Sequence, residues 1–431
     1  MSTSDQRVLV IGAGFAGLGI AAALKTRDIA FEVVEQADDL GGNWYRGVYE
    51  RTHIISSRDS TGFADFPMPR DYPDFPSREQ VLDYLRAYAE HHRLRPHIRF
   101  HTRVIEARPL RPDGMTGWRV RLETPAGEEM RTYPAVAVCN GHHWDRRLPE
   151  YPGHFSGKTL HSKDYRNPED FAPGPVLVVG AGNSGCDIAV EAARAGHETY
   201  VSMRRGYYFL PKTLFGVPTA EMEVPLLPFP LQKAFLKLML RVAVGPNRRY
   251  GLPDPDHDLF DHHPIVNSEL LYELRHGRIQ ARPDIDRLEG DQVRFEDGSS
   301  IRAGTIVWAT GFNVSFPFLD RALFEWEDGI PKRVASLLPP AVANLYLFGL
   351  LQPRGGAGPL ISAGAKLIAE MIGTQRQLDR PLAAELARLS PPAARMLVGV
   401  RETLRRIRVA SLYLRWLRLR ARRRPAQLEA A

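Results

Sequence analysis

A short apolar run, a glycine-rich turn, a helix-forming stretch and a second apolar run follow one another twice, at residues 7–35 and 176–204. This duplicated strand–turn–helix–strand order predicts an α/β protein with two Rossmann-like units. The two copies end differently, the first on an acid and the second on arginines.

In the first copy, Arg7-Val-Leu-Val-Ile11 reads as a buried strand and runs directly into Gly12-Ala13-Gly14-Phe15-Ala16-Gly17. Leu18 to Leu24 suits a helix, and Phe31-Glu-Val-Val-Glu35 suits the next strand. G-x-G-x-x-G in that setting marks a dinucleotide site. Gly12 permits the tight turn, Gly14 lets the backbone approach a pyrophosphate, and Gly17 allows close helix–strand packing. The helix N-terminus offers amide N–H groups to the phosphates. Glu35, 23 residues after Gly12, can accept from a ribose 2′-OH. Leu40-Gly41-Gly42-Asn43-Trp44 follows. A G-G-x-W step so soon after the ribose acid points to FAD.

In the second copy, Val176-Leu-Val-Val179 leads into Gly180-Ala181-Gly182-Asn183-Ser184-Gly185. An alanine-rich helix follows to Ala195, with Gly196 as its expected cap, and then the strand Glu198-Thr-Tyr-Val-Ser202. No acid stands at its end; Arg204 lies 24 residues after Gly180, with Arg205 beside it. A guanidinium is a fixed positive fork suited to a 2′-phosphate, which an acid would repel. The second site therefore reads as NADPH-binding.

The expected organisation is an FAD-binding domain in two parts, 1–153 and 309–375, with the NADPH-binding domain, 154–308, inserted between them. Residues 376–431 form an arginine-rich helical extension. Trp308-Ala-Thr-Gly-Phe312 and Tyr346-Leu-Phe-Gly349 read as returning elements of the first domain, with Gly373 capping a helix that begins near Ile361.

At 431 residues and 44% hydrophobic, the chain has material for two or three domains. The net charge of +7 is local: residues 401–431 hold ten Arg and two Glu, which is +8 and leaves −1 for the remainder. The charge belongs to a tail, so nucleic-acid binding is not inferred from it. Cys139 and Cys186 lie far apart with no C-x-x-C, which argues against a disulfide framework, a metal knuckle or a redox pair. No apolar run reaches the roughly 18–20 residues of a membrane span. The start of the chain lacks a signal-peptide layout. A cytoplasmic location is expected.

Between the two turns stands Phe155-Ser-Gly157-Lys-Thr-Leu-His161-Ser-Lys-Asp-Tyr165, an F-x-G-x-x-x-H-x-x-x-Y pattern. It resembles the fingerprint of the flavin-containing monooxygenases, among the class B flavoprotein monooxygenases. Gly41-Gly-Asn-Trp44, Phe63-Ala-Asp-Phe-Pro-Met-Pro69, Cys139-Asn-Gly-His142, Ser202-Met-Arg-Arg205, His263-Pro-Ile-Val-Asn267 and Ala309-Thr-Gly-Phe312 agree in order, over about residues 6–375.

The resemblance implies that Gly12, Gly14, Gly17, Glu35, Asn43 and Trp44 hold FAD, and that Gly182, Ser184, Gly185, Arg204 and Arg205 hold NADPH. The cofactor set also takes in Phe15, Ala16, Gln36, Gly42, Val104, Gly180, Asn183, His161 and Gln352. His161 and Tyr165 would organise the NADPH. The implied activity inserts one atom of O2 into a nucleophilic N or S, or a carbon, of a small molecule through a C4a-hydroperoxyflavin. Related Baeyer–Villiger enzymes usually carry Trp where this chain has Tyr165, which favours heteroatom oxidation. A ketone oxygenase, a flavin disulfide reductase and a flavin/NADPH redox protein without oxygenase activity stand as alternatives.

One position departs from the resemblance. Many members carry Asn eight residues before the aromatic of the F-x-D-F segment; here that position is Ile55, which cannot donate a hydrogen bond. Ser56 and Ser57 are the candidates to replace it.

Two segments fall outside the resemblance. An apolar stretch, Leu226 to Val244 within a helical insertion near 225–250, carries Lys233, Lys237 and Arg241 as one polar stripe, consistent with a lid helix or a membrane-surface face. In the tail, Ile407, Ala410, Leu414 and Leu417 share one helical face that Tyr413 and Trp416 extend. Arg401, Arg405, Arg408, Arg415, Arg418 and Arg422 gather opposite, with Leu404 and Leu412 among them. Such a basic amphipathic helix can lie on anionic lipid or pack on the body. Peripheral membrane contact and a homodimer are left open as partners beside the small substrate.

Overall fold

A computed structural model describes residues 3–4, 6–222 and 228–422. The fold is mixed α/β. A five-stranded parallel sheet has the order 345–347, 136–138, 8–11, 31–34, 98–99. A second five-stranded parallel sheet has the order 158–161, 305–308, 176–179, 199–202, 279–282. In each, the strand that precedes a glycine turn is central. Val8 pairs with Phe31 on one side, and Leu9 with Val136 on the other. Val176 pairs with Thr199 and Thr305. All four residues of each central strand are buried, because helices or sheet cover both faces; this is why the runs read as wholly apolar.

A four-stranded sheet accompanies each parallel sheet. One contains the hairpin-linked strands 103–109, 118–124 and 127–133, and the other contains 153–155, 285–290, 292–295 and 300–302. The chain leaves the first parallel sheet after 138 and rejoins it at 345–347, where Leu345 pairs with Val136. Of the two segments expected to return to that sheet, only Tyr346 does so. Trp308 ends a strand of the second sheet, where Thr305–Trp308 is held between 158–161 and 176–179.

Helices Phe15–Thr26 and Gly358–Gln375 pack together in the first core, where Gly19 lets Ile361 and Phe63 approach closely. Gly373 lies inside the second of these helices and does not cap it; the cap is Arg376. Gly196 does follow its helix with φ +92°, and His197 N–H donates back to Ala192 O at 3.1 Å, closing the helix end.

Helix Val400–Arg422 lies against helix Gly358–Gln375 and buries Ala410, Leu414 and Leu417. Tyr413 donates to Glu385 at 3.3 Å. Trp416, expected on that buried face, is 48% exposed; it stacks on Tyr413 and points outward. Helix Phe229–Ala243 faces opposite to a usual surface helix. Lys233 and Lys237 turn toward Asp258, while Leu231, Phe235, Leu238 and Val242 look into solvent. Residues 226–227 of that apolar stretch lie outside the described residues, as does the side chain of Arg422.

Candidate functional site: two glycine turns and the cleft between them

The first turn is built as close approach requires. Gly12 has φ +101°, and a Cβ there would meet Cys139 O at 2.7 Å. A Cβ on Gly17 would fall 1.8 Å from Gly12 O. Gly14 faces Gly42, whose Cα would lie 3.6 Å from a Cβ on Gly14. Helix Phe15–Thr26 has Gly14 as N-cap, no side-chain cap and no acid in its first turn. Its leading N–H groups and positive dipole end thus remain available to an anion. Phe15 packs on Phe63, and Ala16 meets Gly349.

Glu35 is buried, and its carboxylate accepts from Ala13 N–H at 2.8 Å and Ala37 N–H at 3.0 Å. Those two bonds orient it beside the turn, and its remaining lone pairs can take a ribose hydroxyl. Gln36 lines an open groove of about 490 Å3 together with His101, Arg103, Glu123, Thr124 and Pro125. Val104, next to Arg103, is buried in its strand at a register shift. Trp44 is half-buried against the first core, in the wide π-helical turn 43–47, and its carbonyl accepts from Arg78.

The second turn repeats this backbone. Gly180 has φ +96°, and a Cβ there would meet Ala309 O at 2.6 Å. A Cβ on Gly185 would fall 2.0 Å from Gly180 O. Gly182 has nothing within 4 Å of its Cβ position, and helix Asn183–Arg194 again lacks a side-chain cap and a first-turn acid. Gly180 N–H donates to Ser202 O at 2.9 Å, which ties the turn to the strand that delivers the arginines. Arg204 is exposed and forms no ion pair among the described residues. Arg205 is engaged: it donates to Tyr207 Oη at 3.3 Å and lies over the Tyr207 ring. Asn183 Oδ1 accepts from Val266 N–H at 2.8 Å, so this side chain fastens the 265–266 strand.

One side-chain link joins the units near the second helix, and a second fastens its acceptor from within the second unit. Tyr49 donates to Asp187 Oδ2 at 2.8 Å, and Asn267 donates to Asp187 Oδ1 at 2.8 Å. Burial raises the Asp187 carboxyl, opposed by its bond from Tyr49 and by His53 and Lys212. Tyr165 is fully buried and donates to Glu191 at 2.8 Å.

His161 uses both ring nitrogens on protein: Nε2 donates to Gly311 O at 3.1 Å, and Nδ1 accepts from Lys163 N–H at 3.1 Å. Burial lowers its pKa, which favours this neutral tautomer. It therefore shapes the junction and keeps no ring nitrogen for direct hydrogen bonding to a cofactor. Ser57 is likewise spent. Its hydroxyl accepts from Ser60 N–H, and it caps helix Arg58–Thr61 while 2% exposed, which removes it as a catalytic candidate. Ser56 shares a hydrogen bond with Thr61 Oγ1 at 2.6 Å, so neither serine stands free in place of the missing Asn. Ile55 packs on the cluster of Leu210, Leu240, Leu259 and Val266, which gives that region an apolar wall. Gln352 pairs through its backbone N–H with Met396 O at 2.8 Å, on the segment that precedes the terminal helix.

Asn43 meets two residues to which the sequence assigned no role, His143 and Lys163. Asn43 Nδ2 donates to His143 O at 3.3 Å, and Asn43 Oδ1 accepts from Lys163 Nζ at 3.3 Å. His143 is an exposed residue whose ring lies against His142 and Phe312. Burial first, then His142, His263 and Lys163, push its pKa down to about 3. His142 Nδ1 bonds Gly349 O at 3.0 Å, while its Nε2 is buried without a partner among the described residues. An orphaned nitrogen beside a glycine cradle fits a site shaped for a bound group. The motif Cys139-Asn-Gly-His142 marked this loop, but a motif alone does not say which of its side chains face the cleft.

The model of the family described as flavin-binding monooxygenase-like matches residues 5–382. The chain belongs to that family. It is 30% identical over 421 residues to flavin-containing monooxygenase 5 of Homo sapiens, covering 88% of this chain and 78% of that one. It is also 30% identical to dimethylaniline monooxygenase [N-oxide-forming] 2 of Rattus norvegicus, covering 84% and 72%. Among solved structures, OTEMO in complex with FAD and NADP superposes with a TM-score of 0.74 at 18% identity, covering 96% of this chain and 98% of that one, a likeness of fold. As a member of the flavin-binding monooxygenase-like family, this chain is an FAD- and NADPH-dependent oxidoreductase with monooxygenase activity. No helix among the described residues is long and apolar enough to cross a membrane.

Proposed function

We propose that the two units are Rossmann-like domains that divide the cofactors: the turn at 12–17 holds FAD, the turn at 180–185 holds NADPH, and the substrate is a small molecule oxygenated at nucleophilic nitrogen or sulfur. The observation that carries the division is the pair of strand ends. Glu35 is buried, accepts from the amides of Ala13 and Ala37 and suits a free ribose; Arg204 is exposed, has no ion pair among the described residues and suits a 2′-phosphate. Gly12, Gly14 and Gly42 bring backbone to one pyrophosphate, and Gly180, Gly182 and Ser184 to the other. Phe15, Ala16, Asn43 and Trp44 wall the flavin side. When bound, the cofactors supply the redox chemistry and the activation of O2. The chain's own residues bind, orient and exclude water. His161 fixes Gly311, Asn43 fixes the 143 carbonyl, and the Tyr49–Asp187 bond ties the second unit to the first. Exclusion of water matters because leakage wastes reducing equivalents as peroxide.

Nitrogen or sulfur oxidation draws support from Tyr165 and from the N-oxide-forming relative. Turnover of amines and sulfides, with NADPH and O2 consumed in step and little peroxide, is the expected result. Ketone turnover alone would move the chain to the Baeyer–Villiger class, and NADPH oxidation that yields only peroxide with every substrate would deny oxygenation.

A peripheral membrane contact is a separate proposal, carried by the inverted helix. Leu231, Phe235, Leu238 and Val242 project outward from Phe229–Ala243, and Leu412, Trp416 and Leu419 project outward among arginines from Val400–Arg422. The two helices start near each other: Arg354 lies over the Phe229 ring and next to Gly399. Apolar side chains flanked by cations suit an anionic bilayer surface. Sedimentation with anionic liposomes should carry the protein down, and Phe235→Ser with Leu238→Ser should reduce this; equal binding by the variant would retire the contact.

A further inference from the structure

The fingerprint loop carries a charge that the two cofactor sites leave unused. Lys163 Nζ donates to Asn43 Oδ1 at 3.3 Å and to Gly47 O at 3.0 Å. Its side chain thus crosses from the loop after strand 158–161 of the second unit to the 43–47 turn of the first. Its backbone N–H is fixed on His161 Nδ1. Both acceptors of the ammonium are neutral, and the third of its three donors has no partner among the described residues. The neighbouring carboxylate, Asp164, is bonded to Arg146. Arg166 also approaches and donates to the carbonyls of Val48 and Arg46. His143 also feels this charge, and with burial as the larger cause its pKa is lowered to about 3. A half-buried ammonium among two guanidiniums, one engaged carboxylate and neutral carbonyls is unfavourable until an anion completes its shell.

We propose that Lys163, carried by the second unit and anchored on the first unit's turn, is a binding residue for the dinucleotide of the second site, where its ammonium takes negative charge of that ligand's pyrophosphate. This rests on the two-cofactor reading above. Arg204 would then hold the outer phosphate and Lys163 the inner end, so that the ligand is gripped at both ends across the junction. Only the ammonium form can act. Burial, then Arg166 and Arg146, lower Lys163 to about 8, with Asp164 opposing. The amine is protonated below that value and binds; affinity is lost as pH rises through it.

The test is calorimetric titration of flavin-loaded protein with NADP+, from about pH 7 to about pH 9, above the second ionisation of a phosphate monoester near 6. The wild-type Kd should rise about tenfold as the competent fraction falls. Lys163→Met should bind about tenfold or more weakly at the lower pH, with no pH dependence. Lys163→Arg should bind well and also lose the pH dependence, since a guanidinium stays charged. It serves as the decisive variant if the Met form fails to retain flavin. Arg204→Ala should bind weakly yet keep the slope. A flat wild-type profile, a Met variant that binds as wild type, or an Arg variant that keeps the slope would overturn the role of Lys163. Wild-type protein that retains flavin but binds no NADP+ at any pH would instead overturn the two-cofactor reading.

Discussion

In the first turn a Cβ on the third glycine would fall 1.8 Å from the first glycine's carbonyl oxygen, and in the second turn the same clash is at 2.0 Å. In the first, the leading glycine is closed off by Cys139 O, and in the second by Ala309 O. Backbone demands are therefore the same in both places. What differs is the side chain delivered by the following strand. Glu35 is drawn inward by two amides of its own turn and its neighbour, whereas Arg204 stays out in solvent. On the proposed reading, the duplicated geometry would supply two phosphate cradles, and the side chain just past each strand would decide which nucleotide each takes.

The largest effects should come from breaking the shared backbone. Gly17→Ala and Gly185→Ala each place a methyl within 2.0 Å of a carbonyl oxygen. If the turns divide the cofactors, Gly17→Ala should purify with little flavin. Gly185→Ala should keep its flavin but lose reduction by NADPH. Flavin absorbance per chain and anaerobic titration separate the two, and equal loss of flavin in both would erase the division.

Changing the strand ends should matter less. Arg204→Ala should weaken NADPH binding by about 10- to 100-fold, from the loss of a charged hydrogen bond of about 1.5–3 kcal/mol, and leave NADH binding nearly unchanged. Arg205→Ala should cost less, because Arg205 is already engaged with Tyr207. Glu35→Gln should destabilise the first turn by about 1–3 kcal/mol, since one of its two amide partners would face an NH2 group. Thermal unfolding and flavin release would report this, with NADPH affinity unmoved. The smallest effect should come from Trp416→Ser on the terminal helix: Trp416 is half-exposed, so the melting temperature should change little, while liposome binding falls.

Much of the fold was legible because its strongest signals are local. The fully buried central strands could only be apolar, and the glycines mark where a Cβ cannot fit. The site was legible in its cradles and less so in its side chains. Ser57 looks like a free hydroxyl in the sequence, but a serine three residues before Ser60 also reads as a helix cap, and the cap prevailed. Gly373 resembled a helix end, yet burial of Ile372 and Thr374 against the core carried the helix past it. Periodicity showed that Lys233 and Lys237 share a face but not that Asp258 would draw that face inward. Lys163 lay within the recognised fingerprint, and its role depends on Asn43 and Gly47, more than a hundred residues away in sequence.

The central claim is that the turn ending on Arg204 feeds the turn ending on Glu35. Anaerobic addition of NADPH or NADH to the purified flavoprotein tests it most directly. NADPH should bleach the flavin absorbance rapidly and NADH slowly, with Arg204→Ala bringing the NADPH rate down to the NADH rate. Wild-type flavin that NADPH does not bleach, or an Arg204→Ala protein slowed equally with both nucleotides, would contradict it.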